Sequence, residues 1–97
     1  MENEVANPWM KLFTVAIKDS KLNAWHISLL FAIAYLALLQ KEKKVVHVSR
    51  SKLMMISHIS TLPTYHKYFK QLQDFGYLRY TPSYHPACKS TIEIVKF

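Results

Sequence analysis

The side chains between positions 61 and 71 combine hydroxyl, imidazole, ammonium and amide groups, a set that suits binding to phosphates and base edges. They belong to Thr61, Thr64, His66, Lys67, Lys70 and Gln71. Lys67 and Lys70 are three residues apart, so on a helix they share a face and both can neutralise phosphates. His66 and Gln71 have the donors and acceptors that read base edges. The alternative is a solvated polar face of a helix.

Further basic residues stand on both sides of this segment. Arg50 and Lys52 open a shorter predicted helix, where we expect them to position nucleic acid rather than to read its sequence. Arg79 and Lys89 could contact the backbone from the other side. The full candidate DNA-binding set is Arg50, Lys52, Thr61, Thr64, His66, Lys67, Lys70, Gln71, Arg79 and Lys89.

The charge of the chain favours a polyanionic partner. It has 13 Lys and Arg against 6 Asp and Glu, a net charge of +7. The excess is uneven, because Asp74 is the one acid between His47 and Thr91. Such a balance is typical of proteins that bind nucleic acid, less often of those that bind an anionic membrane surface. Plain solubility is the alternative.

Other function classes find little support. Cys88 is the single cysteine, so no internal disulfide can form, and the acidic start lacks the pattern of a signal peptide. We therefore expect a cytoplasmic protein. The apolar run over 29–39 is about half of the ~20 residues that span a bilayer, which predicts a buried helix and no membrane partner.

Catalytic and metal-binding patterns are also missing from the sequence. It has no Gly-rich phosphate loop, no nucleophile elbow and no close pair of carboxylates, so we expect no enzyme and no cofactor. His85 and Cys88 have ligand-like spacing, but a structural zinc site needs four ligands and no matching pair is near. We interpret both as ordinary polar residues of a loop.

Periodicity predicts an α+β domain with three helices and a small antiparallel sheet. In chain order the sequence predicts a loose N-terminus over 1–8, a short strand over 9–17 and a helix over 24–40. A strand over 45–48 follows, and then helices over 50–57 and 61–75. The last elements are strands over 77–80 and 91–95, with a loop over 82–90 between them. The strand over 9–17 is predicted from the alternation of Phe13, Val15 and Ile17 with smaller or polar residues.

Helix ends are marked by residues with known roles. Asn23 and Ser49 are predicted N-caps, and Ser60 or Thr61 is predicted to cap the third helix. Pro63 fits the first turn of that helix, and Gly76 fits its end, where a left-handed residue is common.

The helix over 24–40 is apolar nearly all round, so it must be buried on more than one face. One face can pack on the other helices. The second face needs either the N-terminal apolar residues Trp9, Leu12, Phe13 and Val15, or a second copy of the chain. A homodimer through helix 24–40 is therefore one of two predictions for this helix.

The order of elements after residue 45 resembles the winged helix-turn-helix fold of bacterial regulators and plasmid replication initiators. The residues that carry this resemblance are Ser60, Thr64, Phe69, Leu72, Gly76, Tyr77 and Leu78. The stretches WHISLL over 25–30, Tyr65-His66-Lys67 and Phe75 to Tyr80 are similar to small helix-turn-helix proteins of Bacteroidetes encoded near mobile elements. The resemblance covers roughly residues 12–97. Two departures are His58, where this motif usually has Gly, and a wing loop with two prolines and no Gly.

The resemblance implies a single winged-helix domain over 9–97, with the helix-turn-helix at 49–76 and the wing at 77–97. It also implies sequence-specific binding of double-stranded DNA, with the recognition helix over 61–75 in the major groove. We expect a small transcriptional regulator. Two rivals are an accessory factor for mobile-element recombination or plasmid replication, and a winged helix that binds protein without contacting DNA.

Overall fold

The computed structural model of the chain describes residues 8–41, 44–84 and 89–95. In order, their elements are α1 (Pro8–Ile17), α2 (Ala24–Gln40), β1 (Val45–Val48), α3 (Arg50–Ser57), α4 (Leu62–Asp74), β2 (Leu78–Thr81) and β3 (Ser90–Ile94). The α+β class is confirmed. The described residues form four helices where the sequence predicted three.

Helix α1 corrects the strand that was predicted over 9–17. Trp9, Leu12 and Ala16 recur at helical spacing and are buried in the core, whereas Val15 and Ile17 of the alternating pattern are exposed. The helical period prevails because it brings three apolar side chains into the core from one face. Of the predicted loose N-terminus, residues 1–7 lie outside the described part, and Pro8 begins α1.

Helix α2 has the predicted bounds and a reciprocal cap at its start. The Asn23 side chain accepts hydrogen bonds from the backbone N–H groups of Trp25 and His26, at 2.9 and 3.3 Å. In return, Nδ1 of His26 accepts from the backbone N–H of Asn23 at 2.9 Å. The predicted role of Asn23 is thus confirmed, and a histidine takes the place that Glu or Gln usually has in a capping box.

Helices α3 and α4 are joined by four residues. Ser49 caps α3 as predicted, accepting from the backbone N–H of Lys52 at 3.3 Å. His58, at the position where the winged-helix motif usually has Gly, takes the left-handed conformation with φ 62°. Thr61 precedes α4 but its side chain makes no cap bond, so the predicted hydroxyl cap is absent there. Gly76, the one glycine of the chain, follows α4 with φ 84°.

The three strands form an antiparallel sheet in the order β1-β3-β2. Ile92 of the central strand pairs with Val46 on one side and Tyr80 on the other. The loop predicted over 82–90 is described at its two ends, and residues 85–88, which include His85 and Cys88, lie outside the described part.

Helix α2 is the centre of the core and packs on α1, α3, α4 and β1. Its buried apolar residues are Leu29, Leu30, Ala32, Ile33, Leu36 and Ala37. Helix α1 supplies Trp9 and Leu12 to the same core, so the N-terminal segment covers part of α2. Val15, which was predicted to share this role, is exposed. In the described ranges, no helix combines the length and the apolar character needed to cross a bilayer.

A hydrogen bond ties the segment after α1 to the start of the sheet. The Tyr77 hydroxyl donates to Oδ2 of Asp19 at 2.5 Å, and the backbone N–H of Lys21 donates to the other carboxylate oxygen at 2.9 Å. The Tyr77 bond, and then the Lys21 N–H, lower the pKa of Asp19 to about 2. Burial, and then the Asp19 carboxylate, raise the pKa of Tyr77 above its ordinary value.

We expect the Tyr77→Phe change to destabilise the protein in a pH-dependent way. The depressed pKa of Asp19 means that its contribution is complete above about pH 4, the ordinary value for Asp, and is lost as the pH falls toward 2. The difference in free energy of unfolding between wild type and variant should therefore be constant near neutral pH and shrink in acid. Denaturant unfolding at several pH values measures it, with the exposed Tyr84→Phe as control. A pH-independent difference would contradict this account.

Candidate nucleic-acid interface

The outer face of α4 carries the candidate cations. Tyr65, Phe69 and Leu72 turn inward and are buried, which confirms the predicted inner stripe. The opposite face of α4 is exposed and carries the side chains of His66, Lys67, Lys70 and Asp74. The amphipathic pattern of α4 therefore fixes which groups face solvent.

The two lysines of α4 differ in their partners. The ammonium of Lys70 forms an ion pair with Oδ2 of Asp74 at 3.0 Å, one helical turn along. The ammonium of Lys67 lies 5.2 Å from the centroid of the Tyr68 ring, a cation–π arrangement. Lys67 makes no ion pair with any described residue, so its positive charge is not offset locally.

The hydroxyls at the start of α4 bind each other. Thr61 Oγ1 donates to Thr64 Oγ1 at 2.8 Å. Thr61 immediately precedes α4 and Thr64 lies in its first turn, where backbone N–H groups and the helix dipole favour an anion. The pair presents hydroxyl oxygens at the end of the helix nearest the turn, as the predicted phosphate contacts require.

Gln71 lies one helical turn after Lys67, at the edge of α4 that faces α2. Its Oε1 lies 2.7 Å from Nε2 of His26, which is buried at 1 % exposure. Since Nδ1 of His26 accepts from Asn23, Nε2 carries the proton and donates to Gln71. Gln71 therefore differs from the exposed candidate residues in being bonded to a buried side chain.

His26 is a positioning residue that the sequence interpretation missed. It closes the cap of α2 with one ring nitrogen and holds α4 with the other, and its ring meets Tyr68 edge to face at 4.9 Å. The spacing Asn-x-x-His at a helix start was the available signal, because it matches a capping box. Its partner in α4 is 45 positions away, and no local pattern indicates that contact.

Arg50 lies beside the exposed face of α4, whereas Lys52, two residues further along α3, points to a different side of that helix. Arg50, His66 and Lys70 line one cleft between α4 and β2. Burial raises the pKa of Tyr65 in that cleft to about 12, with nearby Tyr80 acting in the same direction and Arg50 in the opposite one. The start of α3 and the middle of α4 thus form a continuous basic surface.

The two candidates from the sheet are placed apart from that surface. Arg79 pairs with Glu93 across β2 and β3, with Nη1 and Oε1 at 3.4 Å. Successive strand residues point to opposite faces, so Arg79 projects away from the face on which Tyr80 meets α4. Lys89 is exposed just before β3. Arg79 and Lys89 could extend a basic surface but do not cluster with α4.

A metal centre finds no support in the described ranges, which hold no group of three or more His, Cys, Asp or Glu side chains able to bind an ion. The pair His85 and Cys88 lies outside those ranges.

No family model, no curated protein and no solved structure matches this chain. The resemblance to winged-helix proteins therefore stays a prediction, and any function must be argued from the surface formed by α3, α4 and the sheet.

We expect Gln71→Ala to lower the free energy of unfolding by about 1–3 kcal/mol, since it leaves the buried N–H of His26 without an acceptor. Gln73→Ala is the matched control, because among the described residues its amide bonds only the Phe69 carbonyl of the same helix, at 3.4 Å. Denaturant unfolding of both variants measures the difference. Equal, small effects of the two changes would show that the His26 bond contributes little.

Proposed function

We propose that this protein binds double-stranded DNA as a winged helix, with α4 in the major groove, and acts as a small transcriptional regulator. The observation that carries the proposal is the outer face of α4. It is exposed, its uncompensated charge is positive, and it is continuous with the basic start of α3. A helix about 10–12 Å wide with its side chains fits the major groove, which is about 12 Å wide.

Within this proposal the residues have distinct roles. Lys67 and Lys70 neutralise phosphates, and Arg50 and Lys52 position the backbone from α3. His66 contacts base edges, since its ring is exposed at the middle of α4.

Two further candidates extend or limit this surface. The Thr61–Thr64 pair lies where the backbone N–H groups of α4 also face an approaching phosphate. Gln71 does not contact base edges while its side chain remains bound to His26.

Salt dependence tests the proposal directly. With about six phosphates neutralised per monomer, the logarithm of the binding constant should fall against the logarithm of salt with a slope near −5. Fluorescence anisotropy with random-sequence and selected duplexes provides the measurement. Absence of binding to any duplex at low salt would overturn the proposal and favour the protein-binding rival.

Lys67→Ala should weaken binding to all duplexes alike and reduce the salt slope by about one. Lys11→Ala is the matched control, because it removes another exposed lysine, from α1, outside the proposed surface. Equal losses for both variants would mean that net charge, rather than the α4 face, determines binding.

We also propose that a second copy of the chain covers the free face of α2. The described residues leave Phe31, Tyr35, Leu38 and Leu39 of α2 exposed, at 54, 42, 68 and 60 %. This stripe continues along one side of the helix, and the Phe31 and Tyr35 rings stack with centroids 6.4 Å apart.

The composition of α2 favours a like partner. The helix contains no Lys, Arg, Asp or Glu, so it offers no charge by which to select a different protein. A two-fold pair places the same patch on both sides, which an uncharged apolar stripe satisfies without further change. Two copies would also present two α4 helices to two half-sites.

Leu38→Glu should convert a dimer of twice 11.4 kDa into a monomer, because it places a charge in the apolar stripe. Met55→Glu, an equally exposed apolar residue on α3, should leave the mass unchanged. Sedimentation equilibrium over a range of concentrations measures both. A wild type that remains at 11.4 kDa throughout would rule out the dimer in solution.

A further inference from the structure

A cavity of about 350 Å³ opens between α4 and β2, beside the first residue of α3. Aromatic rings form its interior. The rings of Phe69 and Tyr80 meet edge to face with centroids 5.0 Å apart, and Tyr65 stacks on Phe69 at 5.3 Å. This volume lies within the range of about 300–1,000 Å³ that small-molecule sites have.

The polar groups at the cavity are cationic or neutral. Arg50, His66, Lys70 and Gln73 line it, and none of its lining residues is an acid. Lys70 has Asp74 as a partner, but Arg50 makes no ion pair with any described residue. The guanidinium of Arg50 is therefore a cation at the cavity that has no acidic partner among the described residues.

We propose that this cleft binds a small planar aromatic anion, with its ring against Phe69 and Tyr80 and its anionic group on Arg50. A planar guanidinium binds a carboxylate or a phosphate through two parallel hydrogen bonds. Aromatic walls bury a flat ring and offer edge-to-face contacts. The Gln73 amide can donate to or accept from a substituent on the ring.

Occupation of the cleft has a consequence for DNA. Arg50, His66 and Lys70 belong both to the cleft and to the surface proposed for DNA. A bound anion would neutralise Arg50 and fill the space beside α4, so ligand and DNA should exclude each other. This consequence rests on the proposed function, whereas binding of the anion itself does not.

A titration followed by NMR tests the binding. The probes are benzoate and indole-3-carboxylate as aromatic carboxylates and thymidine 5′-monophosphate as an aromatic phosphate, with acetate and inorganic phosphate as ions that lack a ring. We expect saturable shifts of the Phe69 and Tyr80 ring signals with at least one aromatic probe, and its class identifies the anionic group. Equal shifts with the ringless ions, or none with any aromatic probe at millimolar concentration, would overturn the proposal.

Two variants on the same helix separate the site from general charge attraction. Arg50→Gln should weaken binding of the aromatic anion by at least about tenfold, because it removes a charge-assisted hydrogen bond. Lys52→Gln removes the same charge two residues away and should change affinity by less than about twofold. Both changes are at exposed positions, so folding should persist, and circular dichroism checks it. Equal losses in the two variants would also overturn the proposal.

Competition completes the test. The probe that binds best should lower DNA binding in anisotropy, and a matched concentration of its ringless counterpart should not. A protein that binds the anion but no duplex would refute the DNA function and leave the site standing. A protein that binds DNA but no aromatic anion would refute the site alone.

Discussion

Three polar side chains on the otherwise apolar helix α2 determine where its neighbours lie. His26 bonds Gln71 of α4, the Ser28 hydroxyl donates to the carbonyl of Ser57 at the end of α3, and the Gln40 amide bonds His47 of β1. The His26 and Ser28 bonds are partly buried, and a buried polar group costs free energy unless it is bonded, so these two contacts favour one arrangement of α2, α3 and α4. Apolar packing alone tolerates small shifts between helices, whereas these directional bonds do not.

The orientation of α4 follows from this constraint. With Gln71 held against His26, and with Tyr65, Phe69 and Leu72 buried, two sides of the helix are committed to the protein. The basic residues are left on the remaining side, next to Arg50. The positions of the proposed DNA surface and of the aromatic cleft beside it therefore depend on how α2 holds α4, and a change at His26 should alter both.

Local signals were enough for much of the fold. The bounds of α2 and α3 and the end of α4 before Gly76 follow from caps and special residues in the sequence, and those of β1 from its β-branched residues. The prediction of a strand over 9–17 was wrong because a short alternation and a helical period coexist in the ten residues of α1. The His26–Gln71 bond and the cleft could not be predicted, because each joins residues from elements far apart in the chain.

The bond between Gln40 and β1 also bears on how copies of this chain behave at high concentration. β1 is at an edge of the sheet, and an open edge invites a strand from another molecule. The Gln40 side chain donates to the carbonyl of His47 at 2.7 Å and accepts from its N–H at 2.9 Å, in the way a neighbouring strand would. A single amide thus occupies the backbone groups of His47 that another strand would need in order to pair with this edge of the sheet.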